Sequence, residues 1–100
     1  MKTLSKEGIE KLKKIAKKYG WEFEIRKDDK TPMLIRDDPW ERISLYRYNH
    51  ENDEYRLQVV YFGDIGRIKI KDFEDEDKAI ERVKDIMDFI AYGVKRGVIE

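Results

Sequence analysis

The stretch Trp40-Glu41-Arg42-Ile43-Ser44-Leu45-Tyr46-Arg47-Tyr48 is followed by Asn49-His50-Glu51-Asn52-Asp53-Glu54 and then by Tyr55-Arg56-Leu57-Gln58-Val59-Val60-Tyr61-Phe62. Both flanks are rich in aromatic and β-branched residues and largely alternate between apolar and polar side chains, as half-buried strands do. The six polar residues between them are turn chemistry. A hairpin over residues 40–62 is therefore the centre of the fold.

Working outward, Gly63-Asp64-Ile65-Gly66 reads as a second tight hairpin leading into a strand over residues 67–71. On the other side, Trp21-Glu22-Phe23-Glu24-Ile25-Arg26 alternates strictly and predicts another strand. Residues 27–39 read as irregular, with turn chemistry at Asp28-Asp29-Lys30-Thr31-Pro32 and Asp37-Asp38-Pro39 around a brief edge strand at Met33-Leu34-Ile35.

A helix is expected at each end of this sheet. In residues 5–19, Ile9, Leu12, Ile15, Ala16 and Tyr19 recur at helical spacing. Ser5 is the natural N-cap, Leu4 and Ile9 form a hydrophobic staple, and Gly20 supplies a left-handed stop before Trp21. The last helix starts near Asp72–Asp75 and runs to about residue 96. Its stripe is Ile80, Val83, Met87, Ile90 and Val94, widened by Ala79, Ile86 and Ala91, with Gly97 as the stop. The expected class is α+β, a single domain over residues 1–100. A helix, an antiparallel sheet of three to five strands and a C-terminal helix follow in order, with both helices on one face. The expected core is Leu12, Phe23, Leu57, Val59, Ile70, Val83, Met87 and Ile90.

Composition narrows the functional classes. Charged residues are 44% of the 100-residue chain, yet 22 basic and 22 acidic side chains cancel. Zero net charge argues against indiscriminate binding to nucleic acid or anionic membranes. Charge is uneven, however: residues 1–20 hold seven lysines and two glutamates. The absence of cysteine excludes disulfides and thiolate metal sites. It fits a reducing compartment, and the Lys/Glu-heavy balance is that of heat-adapted cytosolic proteins. With no apolar leader pattern and no run near the length of a membrane span, the expected location is cytoplasmic, with no membrane partner.

The chemistry-bearing patterns are weak. Glu74-Asp75-Glu76-Asp77 lacks the spaced ligands and glycine turn of a calcium loop and fits a helix N-terminus, where the dipole favours carboxylates. Gly63-Asp64-Ile65-Gly66 matches the bare GxxG of KH domains but is flanked by strands and carries an acid that phosphate would repel. His50, the only histidine, sits in a polar turn with no serine or cysteine nucleophile arranged near it. The Glu76-Asp77-Lys78 triplet has the E-x-K of some nucleases but stands at a helix start rather than on a strand. The order helix–strands–helix is similar to that of double-stranded-RNA-binding domains. Their second helix opens with a basic cluster, whereas this one opens on four acids, so that function does not carry over. No enzyme activity, cofactor or metal site is expected.

Pairing Gly63 with Gly66 sets Tyr61 across from Ile68 and Val59 across from Ile70. These residues, with Tyr55 and Leu57, then make the core face. Pairing Asn49 with Glu54 puts Ile43, Leu45 and Arg47 on the opposite, outer face and Tyr46 and Tyr48 inside. That outer face would carry an apolar patch of Ile43, Leu45, Val60 and Phe62, left open by the helices or closed by the 27–39 loop. A one-residue slip in the first hairpin would send Ile43 and Leu45 to the core instead. Phe89 falls near the polar side of the last helix, beside Asp85 and Arg82, and joins the candidate interaction surface. The leading expectation is a non-enzymatic protein-interaction module, a homodimer formed through the outer sheet face or a strand edge. The alternative is a nucleic-acid binder using Arg47, Arg56, Arg67, Lys69 and Lys71 of the outer face with Lys13 and Lys17 of the first helix.

Overall fold

The computed structural model describes residues 4–36, 41–49, 54–61 and 68–92, with the backbone alone at 48, 49, 68 and 69. The elements run α1 (Lys6–Tyr19), β1 (Glu22–Ile25), β2 (Pro32–Arg36), β3 (Glu41–Asn49), β4 (Glu54–Tyr61), β5 (Ile68–Phe73) and α2 (Glu76–Tyr92). The caps of α1 are those expected. Extended Ser5 accepts a hydrogen bond from the Gly8 amide, and Gly20 closes the helix in the left-handed region at φ 77°. The sequence pattern for α2 continues to residue 96, but positions beyond Tyr92 lie outside the described residues.

The five strands form one antiparallel meander in the order β1-β2-β3-β4-β5. The Met33-Leu34-Ile35 segment is thus no edge strand; β2 sits between β1 and β3. Pro32 is tolerated there because it is the first residue of its strand. The turn before it carries Lys30 at φ 60° and is tied by the Arg26 amide donating to the Thr31 carbonyl at 2.9 Å.

Two register differences decide which face each side chain takes. Asn49 does pair with Glu54, as expected, but Tyr48 is an extra residue: beyond this bulge Arg47 faces Tyr55, Leu45 faces Leu57 and Ile43 faces Val59. Because side chains alternate with period two, that single residue turns the whole strand over. Ile43 and Leu45 are core residues at 1% exposure, not an outer patch, while Tyr46 stands on the outer face opposite Arg56. In the second hairpin Val60 faces Ile68 and Gln58 faces Ile70, one position away from the pairing that a Gly63–Gly66 closure implies. Ile70 is accordingly 60% exposed rather than buried.

Both helices pack on the face carrying Leu34, Ile43, Leu45, Tyr55, Leu57 and Val59, and with Leu12, Ala16, Val83, Ile86, Met87 and Phe89 they complete the core. Phe23 and Ile90 are only partly buried against it. Phe89, expected at the surface, is 4% exposed, because the apolar stripe of α2 is widened on the side of Ile86.

The helices run parallel to one another. At their starts the Ser5 amide and hydroxyl donate to the two Glu76 carboxylate oxygens at 2.9 and 2.6 Å, and Lys11 Nζ lies 3.1 Å from Asp77 Oδ1. Gly8 permits this approach, since a Cβ there would stand 2.9 Å from Glu76 Cδ. At their ends the Tyr19 hydroxyl donates to buried Asp88, and the Tyr19 and Tyr92 rings lie 6.1 Å apart. The α2 start is capped by Asp75, whose Oδ1 accepts from the Asp77 amide at 2.8 Å.

Candidate interaction surfaces

The register assembles the outer sheet face in two neighbouring rows. One row is Glu22–Ile35–Arg42–Val60, with Ile68 next in the backbone pairing; the other is Glu24–Met33–Ser44–Gln58–Ile70. Ile35 and Val60 are buried yet stand outside the core cluster, so a second, smaller apolar group exists on this side. At its margin lie Tyr46, Arg56 and Asp72. The Arg56 guanidinium donates through Nε and Nη2 to the two Asp72 oxygens at 2.8 and 3.3 Å. That bond raises its pKa above the ordinary arginine value.

Of the expected interaction residues, only Val60 is found on this face. Ile43, Leu45 and Phe89 belong to the core, and Phe62 lies outside the described residues. The expected basic outer face is also redistributed. Arg47 stands opposite Tyr55 on the helix-bearing face, with its Nε buried. Lys71 stands opposite Leu57 on that same face, its Nζ 5.8 Å from the Phe73 ring centre. Lys69 pairs with Val59 in the backbone register, and Arg67 lies outside the described residues. Met33, Ile35 and Ile70 are the outer-face residues that sequence reasoning missed. The alternation of Met33 and Ile35 with Leu34 carries that signal, once β2 is taken as a full strand.

The edges of the sheet are charged. Edge strand β1 is four residues long and exposes Glu22 and Glu24; β5 carries Lys71 and Asp72 in exposed positions. Short, charged edges discourage strand-to-strand pairing with another chain.

A second surface lies on the helical layer. Lys11, Lys14, Ile15 and Lys18 of α1 and Ile80 and Lys84 of α2 line a groove of about 320 Å³. Ile15 and Ile80 are its apolar members, one from each helix. Lys11 is engaged by Asp77, and this hydrogen bond raises its pKa above the ordinary 10.5. Lys14 and Lys84 have no ion-pair partner among the described residues. Lys13 does not line it: its ammonium lies 3.6 Å from Glu10 and 5.8 Å from the Phe23 ring centre, toward β1. Lys17 is exposed and is also absent from the lining. A further hollow of about 330 Å³ sets Lys78 and Arg82 with Glu81 and Asp85 around Phe73, a balanced set of charges.

The acidic run after β5 is used structurally, Asp75 for its own helix and Glu76 for the neighbouring one. Among the described residues no three His, Cys, Asp or Glu side chains gather as a metal site, and no helix is long and apolar enough to cross a membrane. His50 lies outside the described residues. No family model matches this chain, and no curated protein or solved structure is significantly similar to it.

Proposed function

We propose that this chain is a non-enzymatic protein-interaction module that self-associates through the outer face of its sheet. The observation that carries the reading is Ile70, 60% exposed in the middle of β5 and beside the Ile35/Val60 group, on the face that neither helix packs against. The charged edges favour the face over a strand edge as the contact. A two-fold axis across the strands, between the two outer rows, lays Met33 of one copy on Ile35 of the other and Arg42 on Ser44. The patch is then self-complementary at its centre, and like charges meet only at the β1 edge, where Glu22 lies over Glu24.

The area sets the strength. Five strands about 4.8 Å apart, each roughly six residues long, cover on the order of 500 Å² per copy. A total near 1,000 Å² is the lower bound for a specific interface, so a dimer with micromolar dissociation is expected. Sedimentation velocity across a concentration series tests this. A mass that rises from one chain to two supports the proposal, and the 12.1 kDa monomer at every concentration overturns it. The nucleic-acid reading draws less from the geometry, since Arg56 is occupied by Asp72 and Arg47 and Lys71 stand on the other face.

A further inference from the structure

The groove between α1 and α2 lies on the side of the molecule away from the proposed dimer face, and its chemistry is different. Its floor is aliphatic, Ile15 and Ile80, and its rim is cationic on both sides. Lys11, Lys14 and Lys18 follow one another at intervals of three and four residues along α1, spanning about 10 Å of helix axis. Lys84 faces them from α2. Among the described residues only Lys11 of this rim is neutralised by a carboxylate, and that carboxylate, Asp77, stands at the start of α2. Toward the helix ends, Lys14, Lys18 and Lys84 are left as a positive rim around an apolar strip.

We infer that this groove is a docking site for an acidic amphipathic helix of a partner protein. A helix lying between α1 and α2 would set an aliphatic side chain between Ile15 and Ile80. Its glutamates or aspartates, spaced at three and four residues, would stand alongside the α1 lysines at the same spacing. Charge complementarity selects an anionic occupant, and the aliphatic floor selects one that also carries apolar side chains. A phosphate backbone would leave the partly buried Ile15 in water and approach Asp77. An anionic bilayer would meet Glu7, Glu10 and Asp77, all exposed on the same helices. The inference does not require dimerisation.

The test uses the full chain and a synthetic helical peptide with leucines along one face and glutamates flanking them. Binding is read by fluorescence anisotropy at low and moderate salt. The expected result is saturable binding that weakens with salt and falls about ten-fold or more in Lys14→Glu/Lys84→Glu. Lys13→Glu/Lys17→Glu, the same change of charge outside the groove, should shift it by less than about three-fold. All four side chains are exposed, and circular dichroism of both variants checks that the fold is kept. The inference is overturned by absence of binding, by equal loss in the two variants, or by equal binding of a lysine-flanked version of the peptide. Tighter, Lys14/Lys84-dependent binding of single-stranded DNA or of phosphatidylglycerol vesicles would also overturn it, because the occupant would then be another class of molecule.

Discussion

Ser5 and Glu76 are 71 positions apart and complete one helix cap together: the Ser5 hydroxyl accepts from the Gly8 amide at 3.0 Å and donates to Glu76 Oε2 at 2.6 Å. The acid that opens α2 therefore serves the N-terminus of α1, where the dipole of that helix favours a negative charge. Ser5→Ala should lower stability by about 1–2 kcal/mol in urea denaturation. Glu76→Gln should lower it too, and the double variant should fall short of the sum by at least about 0.5 kcal/mol, since one network is being removed twice. Strict additivity would mean the two residues act separately.

The bulge at Tyr48 makes a prediction about faces. Leu45→Ala opens a hole in the core and should cost roughly 2–5 kcal/mol. Ile70→Ala, at an exposed position of an edge strand, should cost under about 1 kcal/mol when measured in dilute, monomeric protein. The opposite ranking would restore the pairing in which Ile70 faces Val59.

Self-association supplies a third prediction. Ile70→Lys places a charge in the outer-face patch without touching the core, so it should leave the melting temperature of the monomer nearly unchanged while weakening the dimer by about ten-fold or more. Leu45→Ala should do the reverse. A dimer that survives Ile70→Lys unaltered would locate the contact elsewhere.

Asp29 gives a pH prediction. Hydrogen bonding from Thr31, by its side chain foremost and by its amide at 3.1 Å, with Arg26 nearby, holds the Asp29 carboxyl below its ordinary 3.8. A carboxyl whose pKa is depressed by folding adds stability that is present above the unfolded value and lost as pH falls through the folded one. The β1–β2 turn should therefore hold at neutral pH and loosen only below about pH 4. Carbon-detected NMR titration should place the Asp29 midpoint under 3.8, and Thr31→Val should move it upward. An unchanged midpoint in that variant would remove Thr31 as the cause.

The elements were legible in the sequence because their signals are local. Ser5, the Ile9–Tyr19 stripe and Gly20 define α1 within sixteen residues, and each agrees with the structure. The α+β order and the helix-bearing face of β4, Tyr55, Leu57 and Val59, follow from the same kind of pattern. The surfaces were less legible, because they depend on pairing parity. Asn49 opposite Glu54 was the right anchor, but nothing in Arg47-Tyr48-Asn49 distinguishes a bulge from a continuous strand. The segment Ile68-Lys69-Ile70-Lys71 alternates cleanly and fits either face of an edge strand. Those two ambiguities moved Ile43 and Leu45 inward, Ile70 outward, and Arg47 and Lys71 away from the outer face. The groove was half visible: the lysines of α1 stood out, but separating Lys14 and Lys18 from Lys13 and Lys17 required knowing on which side α2 lies.

The parallel course of α1 and α2 has a consequence for the order of assembly. During synthesis the meander can grow strand by strand, since each strand meets the one made just before it. The α1 start cannot be completed in this way, because Glu76 is added only after all five strands. Until then Ser5, Ile15 and the lysine-rich flank have no second helix to lie against. The closing step is thus a contact of long sequence separation, the kind that loop entropy makes slow. A chain ending just short of Glu76 should carry a formed sheet with α1 still loosely attached and apolar surface for a chaperone to hold.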